Sequence, residues 1–469
     1  MKWSNDVIVR RSELATRRAA VIAVLLVALV ANGCGPGASS PSADRSTAGS
    51  AASAAVEPEG GSLVIVGRIV TMDEPSDAEA LLIENGQVTA LGTRDEVLSH
   101  AGAQVQVLDI GTNVAYPGFI DAHAHWIGDR DYYGVGSAAE AMEAAVARGW
   151  TSISEQWVNP ERLDELTDLA ADAALPVRVD GYLALNYDRD FFGDWYVSRE
   201  PGALDDRLSV KGLKVHLDDG SGKVINWDPV DLATTIGRAD EGGWQVSVHA
   251  VSSRAIDLVL DAFEAALGPT GPNPLHHRIE HALQVTDEQL DRMVAMDVAT
   301  VIHLDGAADW LLDDDVLAAF DRDQPGGVAS SLARWRDLVD AGIHVASATD
   351  APWTFPDFEL TDDLGRPVDQ IAAGMDGRVR SRTETPPWLL DQLLTVEQGL
   401  RAVTVDAAWA LGDETRRGHL APGTLGDVTI LSGDVLGATS DEVRDMSVIA
   451  TIVGGTVVFC SDTEVCGGG

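Results

Sequence analysis

The sequence predicts an α/β fold in which a (β/α)8 TIM barrel carries a small β-sandwich domain formed by both ends of the folded chain. From Ala115 to about Leu411, apolar strand-like runs alternate with helical stretches, which is typical of (β/α) repeats. The candidate strands end near His125, Glu155, Leu185, Asp218, His249, His281, His303 and Asp350. Short alternating strands fill residues 62–116 and 412–460, and we expect one composite β domain beside a barrel of residues 117–411.

Residues 1–34 predict an export signal. Basic residues precede an apolar stretch from Ala19 to Ala31, which is shorter than the roughly 20 residues of a membrane span but suits a signal-peptide core. Cys34 follows small residues and predicts a lipoprotein cleavage site, with ordinary cleavage without lipid as the alternative. We therefore expect an exported cell-envelope protein, anchored to the membrane on the extracytoplasmic side by a lipid on Cys34. Thr16-Arg17-Arg18 leaves the export route open between general secretion and the twin-arginine system.

Two further segments flank the folded body. Residues 35–61 are almost all small residues and proline, so they cannot bury a core and predict a flexible linker. Residues 461–469 predict a short tail. Cys460 and Cys466 form an isolated pair, and an oxidising compartment favours a disulfide between them over two free thiols.

The charge of the chain excludes one class of function. The formal net charge is −41, and such a surface repels phosphate backbones and anionic lipid. We expect no nucleic-acid partner and a small-molecule substrate, while the oligomeric state stays open.

A metal site is indicated where the first barrel strand ends, in Pro117-Gly-Phe-Ile-Asp-Ala-His-Ala-His. Side chains alternate along a strand, so His123 and His125 point to the same side and can reach one metal ion. In a TIM barrel the reactive residues gather at the carboxyl ends of the strands. His249, His281 and Asp350 lie at such ends.

Each of these residues could instead have a purely structural role. His249 could be a hydrogen-bonded core histidine, His281 a partner of Glu280, and Asp350 a helix cap before Ala351-Pro352. Lys214 lies inside Val210-Lys-Gly-Leu-Lys-Val-His-Leu, where a central strand would bury it. A buried lysine is costly unless it is paired or neutral, so an ion pair with Asp218 is its alternative.

Taken together and in this order, the residues resemble the metal set of the amidohydrolase superfamily. The closer resemblance is to amidohydrolase family 3, the YtcJ-like branch. The matching segments are His249-Ala-Val-Ser-Ser-Arg-Ala-Ile-Asp, Arg278-Ile-Glu-His-Ala, Thr349-Asp-Ala-Pro, Leu394-Thr-Val-Glu-Gln-Gly-Leu-Arg-Ala-Val-Thr and Gly418-His-Leu-Ala-Pro-Gly-Thr-Leu-Gly-Asp. Two features depart from this branch: only 25 residues separate His125 from Thr151, and Asp218-Asp219 precedes Gly220 where one Asp is expected.

The resemblance implies one or two divalent ions, with zinc as the expected metal. It places His123, His125 and Asp350 on one ion and His249 and His281 on the other. A carboxylated Lys214 would bridge the two ions. Possible substrate-contacting or supporting residues are His216, Asp218, Glu155, His303 and Trp353.

The implied reaction is hydrolysis of a carbon–nitrogen bond other than a peptide bond, in an amide, N-acyl or cyclic amide substrate. Metal-activated hydroxide would attack and Asp350 would shuttle the proton. The alternatives are a mononuclear deaminase or isomerase, and a non-catalytic metal- or solute-binding lipoprotein. An aromatic and cationic lid could receive an anionic or aryl substrate, with plain loop packing as the alternative. Its candidate residues are Trp353, Phe355, Phe358, Arg378, Arg380, Arg382 and Trp388.

Overall fold

The computed structural model describes residues 61–220, 222–305, 332–354, 364–379 and 384–467. The predicted export signal, Cys34 and nearly all of the predicted linker lie outside these ranges. So do four of the predicted lid residues, Phe355, Phe358, Arg380 and Arg382. Among the described residues, no helix has the length and apolar character that a membrane crossing requires.

The described elements alternate between strands and helices over most of the chain. The strands are β1 Ser62–Val70, β2 Asp77–Glu84, β3 Gln87–Gly92, β4 Gln106–Pro117, β5 Phe119–Ala124, β6 Trp150–Val158, β7 Arg178–Ala184, β8 Asn186–Tyr187, β9 Asp190–Phe191, β10 Gly202–Ala203, β11 Leu208–His216, β12 Gln245–Ala250, β13 Arg278–His281, β14 Ala299–Ile302, β15 Val345–Ser347, β16 Val428–Leu431, β17 Val448–Val453 and β18 Thr456–Cys460. The α-helices are α1 Arg94–His100, α2 Ala138–Ala147, α3 Pro160–Ala171, α4 Pro229–Glu241, α5 Ser253–Leu267, α6 Asp287–Met296, α7 Trp335–Asp340, α8 Pro367–Asp376, α9 Val396–Ala402, α10 Val405–Ala410, α11 Ser440–Arg444 and α12 Thr463–Cys466. Short 3-10 helices cover Arg130–Tyr133, Trp195–Ser198, Pro387–Gln392 and Val435–Gly437.

Eight parallel strands form the barrel, in the order β5-β6-β7-β11-β12-β13-β14-β15. The two outer strands meet through backbone hydrogen bonds, from Asp350 N to His123 O and from His125 N to Ala351 O, both 2.9 Å long. The predicted TIM barrel is therefore confirmed, and its nearly closed wall brings the first and last strand ends together. After β7 the chain makes a hairpin of β8 and β9.

Both ends of the folded chain contribute to the second domain. Its strands form a seven-stranded sheet in the order β18-β17-β16-β4-β1-β2-β3. The predicted composite of two segments is thus present, and it is a single hydrogen-bonded sheet through β16, β4 and β1. Leu63, Ile65 and Leu81 from the first segment share a core with Val428 and Ile452 from the second. The C-terminal segment also carries the disulfide that the sequence favours, between Cys460 and Cys466.

The two domains are fastened by buried ion pairs beneath the barrel. Arg178 at the start of β7 donates to both carboxylate oxygens of Asp427, at 2.7 and 3.0 Å. Only Gly118 separates β4 of the sheet from β5 of the barrel. A Cβ atom there would lie 2.2 Å from Thr151 Oγ1 and 2.9 Å from Asp427 Cβ, so the close approach of the chains requires glycine. The barrel strand β5, which leads to His123 and His125, therefore follows the sheet strand β4 after a single residue.

Candidate metal centre

A belt of six aromatic rings surrounds the mouth of the barrel, at the carboxyl ends of the strands. Its members, in order around the mouth, are His123, His125, Trp157, His216, His249 and His281. Neighbouring ring centroids lie between 4.3 and 5.4 Å apart around the full circle. The predicted histidines of four different strands are thus brought together, as the barrel geometry requires.

His123 is oriented by a buried ion pair. Its Nδ1 lies 2.6 Å from Glu280 Oε2, and Arg278 Nε donates to Glu280 Oε1 at 2.6 Å. Burial raises the pKa of Glu280, but Arg278 and His123 outweigh that effect and hold it well below its usual range. Because the ionised carboxylate only accepts, Nδ1 carries the proton and Nε2 keeps its lone pair. A carboxylate behind a histidine is the usual support of a metal ligand.

Asp350 faces both histidines of the first strand. Its Oδ1 lies 3.3 Å from His123 Nε2 and 3.4 Å from His125 Nε2. One donor atom from each of these three residues falls within 4.8 Å of the others, which is a plausible ligand set for one ion. The predicted alternative, in which the Asp350 carboxylate serves as a helix cap, does not describe these contacts. Asp121 supports the arrangement, since it accepts hydrogen bonds from the Thr349 backbone N–H and hydroxyl.

Lys214 is 1% exposed and turns towards His123, where its Nζ lies 3.4 Å from Nε2. Burial lowers the pKa of Lys214 to about 8. Asp218, the alternative partner, instead accepts from the backbone N–H groups of Val251 and Ser252 at 3.1 Å. The lysine therefore lies among the candidate ligands.

His281 has a buried nitrogen that the protein leaves without a hydrogen-bond partner. His303 Nδ1 lies 3.0 Å from Ala348 O, so this nitrogen carries the proton and Nε2 accepts. His281 Nδ1, 2.8 Å from His303 Nε2, then donates, which leaves a lone pair on His281 Nε2. His281 Nε2 is buried, and no hydrogen-bond partner for it lies among the described residues. His123, His281 and His303 also form a second group of donors within 4.8 Å, so His303 lies closer to the centre than a general substrate-contacting role implies.

His249 lies next to His281 in the belt, with ring centroids 4.3 Å apart. Its Nε2 is 3.7 Å from Asp218 Oδ1, and burial holds the pKa of His249 well below its ordinary value. Within the described part of the chain it belongs to neither of the two close donor groups. His216 lies next to it, with ring centroids 4.3 Å apart, and its Nδ1 is 3.4 Å from Asp188 Oδ1.

The second strand contributes Trp157 to the belt, a residue that sequence reasoning missed. The residue predicted there, Glu155, accepts from the backbone N–H groups of Ile127 and Gly128 at 3.1 and 2.6 Å and so holds the loop after β5. Burial raises the pKa of Glu155 to about 7. Trp157 follows two positions later, but its left-handed φ of 57° interrupts the alternation of strand side chains that would have pointed to it.

The predicted lid residues separate into two places. Trp353 lies at the mouth, where its Nε1 donates to Asp129 Oδ2 at 3.0 Å and its ring lies 5.0 Å from that of Tyr132. Arg378 pairs with Asp376 and Asp441. Trp388 packs against buried Val379. These partners of Arg378 and Trp388 do not belong to the belt of rings, so loop packing describes these two residues better than a lid.

The donors present fit a divalent metal. Buried imidazoles, a carboxylate and a lysine converge, two imidazole nitrogens (His125 Nδ1 and His281 Nε2) are buried without a hydrogen-bond partner in the described ranges, and His123 has its carboxylate support. The residues that would hold the ions are His123, His125, Lys214, His281 and Asp350, with His249 and His303 beside them.

Comparison with known proteins agrees with this geometry. A family model described as the amidohydrolase family matches residues 133–459. The chain therefore belongs to the amidohydrolase family, whose enzymes are metal-dependent hydrolases. The Bacillus subtilis protein YtcJ, named as an amidohydrolase, is 24% identical over 408 residues, which cover 84% of this chain and 68% of YtcJ.

Two further proteins are similar to this chain, one in sequence and one in fold. The N-substituted formamide deformylase of Arthrobacter pascens is 25% identical over 249 residues, or 53% of this chain and 42% of that enzyme. The chain thus spans less than half of the deformylase. The crystal structure of a metal-dependent hydrolase from Pyrococcus horikoshii OT3 superposes with a TM-score of 0.65 at 18% identity, over 81% of this chain and 99% of that one. This likeness establishes the fold.

Proposed function

We propose that the protein hydrolyses a carbon–nitrogen bond in an amide, N-acyl or cyclic amide substrate. The observation that carries the proposal is the convergence of His123, His125 and Asp350 with buried Lys214 on the solvent-facing mouth of the barrel. A bound divalent ion would supply activation of water and polarisation of the scissile carbonyl. Zinc suits a set dominated by imidazole nitrogen and carboxylate oxygen.

Asp350 is the proposed proton carrier. Its side chain is 16% exposed, so water reaches it, while His123 and His125 hold its Oδ1. The two neighbouring histidines keep the pKa of Asp350 well below its usual range against the opposing effect of burial. The ionised carboxylate can take a proton from the attacking water and return it to the leaving nitrogen, which must be protonated before an amine departs.

We propose that Lys214 is carboxylated and shared between two ions. This rests on its burial and on its 3.4 Å distance from His123 Nε2. Mass spectrometry of the intact metal-loaded protein would show the added carbon dioxide. Loss of that mass in Lys214→Ala, together with recovery of metal binding on adding a short carboxylic acid, would support the bridge.

The decisive experiment joins metal analysis to turnover. We expect wild-type protein to bind two zinc ions per chain and to hydrolyse members of a panel of amides, esters and lactones. Asp350→Asn should lower turnover by about 10²–10⁴-fold because the proton carrier is removed. Asp164→Asn, on the exposed side of helix α3, is the control and should leave both quantities unchanged.

Two other results would favour the rival functions. One metal per chain, with Lys214→Ala still active, would indicate a mononuclear deaminase or isomerase. Full metal binding without hydrolysis of any panel member would indicate a binding protein. Unchanged turnover in both Asp350→Asn and Lys214→Ala would contradict the proposed roles.

A further inference from the structure

An aromatic wall stands beside the metal donors at the barrel mouth. Trp157 lies 4.8 Å, centroid to centroid, from His125, and Tyr187 lies 4.8 Å from Trp157 at an interplanar angle of 70°. Tyr187 also stacks on His216, at 5.8 Å and 9°. We name Trp157, Tyr187 and His216 the aryl wall.

The wall is held in place from several directions. Trp157 Nε1 donates to Asn186 O at 3.1 Å, and Asn186 Nδ2 donates to His216 O at 2.7 Å. Trp157 has a φ of 57°, a left-handed conformation that is strained for a bulky residue. Such strain persists only where the surroundings over-determine it, and it gathers at functional sites. His281 and Asp350 at the same mouth share this conformation, with φ of 72° and 50°.

The outer part of the wall faces solvent. Tyr187 is 41% exposed, whereas Trp157 and His216 behind it are largely covered. The Tyr187 ring extends the apolar surface from His125 outwards. A substrate with its carbonyl among the metal donors would place its substituent along this surface.

Two carboxylates lie beside the wall. Asp188 contacts His216, and Asp129 lies 3.5 Å from His125 Nδ1. These carboxylates would repel an acidic substituent. The exposed ring, the strained indole and the flanking acids together describe a surface for a flat, uncharged group.

We infer that the aryl wall binds an uncharged aromatic ring of the substrate, next to the bond that is cleaved. The inference rests on the proposed function, because the ring is placed by a carbonyl group held at the metal donors. Aromatic pairs gain from offset-stacked and edge-to-face contacts beyond the burial of area. A planar ring should therefore bind better than a saturated ring of similar size.

The test uses two metal-chelating probes that differ only in the ring. Benzohydroxamate and cyclohexanecarbohydroxamate carry the same chelating group, and titration calorimetry on zinc-loaded protein measures their affinities without turnover. We expect the phenyl probe to bind about tenfold more tightly. In Tyr187→Leu that preference should fall below threefold, while Tyr187→Phe should keep it.

Phe192→Leu is the matched control, since Phe192 is 45% exposed, lies just beyond the same hairpin and donates its backbone N–H to Leu185 O. It should bind both probes as wild type does. Equal affinities for the two probes in wild type, or an equal loss of both in Tyr187→Leu, would overturn the aryl wall and leave the metal centre standing. Absence of binding by either probe would overturn the metal centre, and the aryl wall with it.

Discussion

At the scale of single residues, the centre depends on side chains that never touch a substrate. Glu280 is fully buried and joins His123, Arg278 and Ser247, whose hydroxyl donates to Oε1 at 2.7 Å. Arg278 in turn lies 4.6 Å above the ring of Tyr182 and donates to Ala122 O. The charge of Glu280 fixes which nitrogen of His123 carries the proton, and this decides whether a metal meets a lone pair.

Glu280→Gln should weaken zinc binding by about 10–100-fold, since a neutral amide supports a ligand histidine less than a carboxylate does. Competition with a chromophoric chelator measures the affinity. Ser247→Ala is the control because it removes one hydrogen bond to Glu280 and leaves the carboxylate, and its loss should stay below about threefold. Equal losses in the two variants would show that the charge of Glu280 does not matter.

The ligand candidates could be predicted from the sequence because strand periodicity and strand ends fix their direction. His123 Nε2 lies 3.4 Å from Lys214 Nζ and 3.3 Å from Asp350 Oδ1, in the way this reasoning expects. The contact between His281 and His303 could not be predicted, since it depends on the curvature of the barrel. Trp157 was overlooked because its indole is aimed by a left-handed backbone that no periodicity describes.

At the scale of secondary structure, the N-terminus of helix α5 supports the candidate metal centre. Ser252 caps helix α5 by accepting from Ala255 N at 3.2 Å, and its hydroxyl donates to Asp218 Oδ2 at 2.6 Å. Asp218 faces His249. The cap therefore stabilises the helix and fixes the carboxylate behind a candidate ligand.

Ser252→Ala should destabilise the protein by about 1 kcal/mol, as loss of an N-cap usually does, and should also reduce the zinc bound per chain. Thr286→Ala provides the comparison, because Thr286 caps helix α6 in the same way and is not bonded to Asp218. It should cost a similar amount of stability and leave zinc content unchanged. Denaturant titration and elemental analysis measure the two quantities, and equal zinc content in both variants would contradict the double role of Ser252.

At the scale of the whole molecule, acid stability should reflect the buried pairs beneath the barrel. Arg417 Nη2 donates to Asp180 Oδ2 at 2.6 Å, and both side chains are 5% exposed. Burial opposes the charge of Asp180, but Arg417 and Lys211 outweigh it and lower its pKa. The folded pKa lies below the unfolded value of about 3.9, so the stabilisation is complete above that value and is lost as the pH falls through the folded pKa.

Asp180→Asn should therefore cost about 1.5–3 kcal/mol at pH 7, the usual contribution of a hydrogen bond to a charged group, because Arg417 keeps its ion pair with Asp413. The difference from wild type should stay constant down to about pH 4 and shrink below it, which denaturant titrations across this range would show. Glu143→Gln on the exposed side of helix α2 should show no such trend. A difference that persists unchanged at pH 2.5 would mean that folding does not lower the pKa of Asp180.

The overall architecture was largely predictable. All eight barrel strands end within three residues of their predicted ends, because each carries an apolar run that stops at a polar residue. The hairpin of β8 and β9 in the third connection was not predictable, since its two-residue strands are too short to show a period. The unbroken seven-stranded sheet could not be predicted from the sequence either, because pairing between β4 and β16 joins residues more than 300 positions apart.

That long-range pairing gives the chain an order of assembly. Strand β4 leads through Gly118 into the strand that bears His123 and His125, and its open edge is covered only by β16. A nascent polypeptide can therefore complete its barrel segment before β16 exists to cover this edge. Contacts between distant segments form slowly, because a long loop must first be closed. The base of the strand that leads to His123 and His125 thus gains its last neighbour only when β16 has emerged, and a chain terminated before β16 would lack that neighbour despite possessing every candidate ligand.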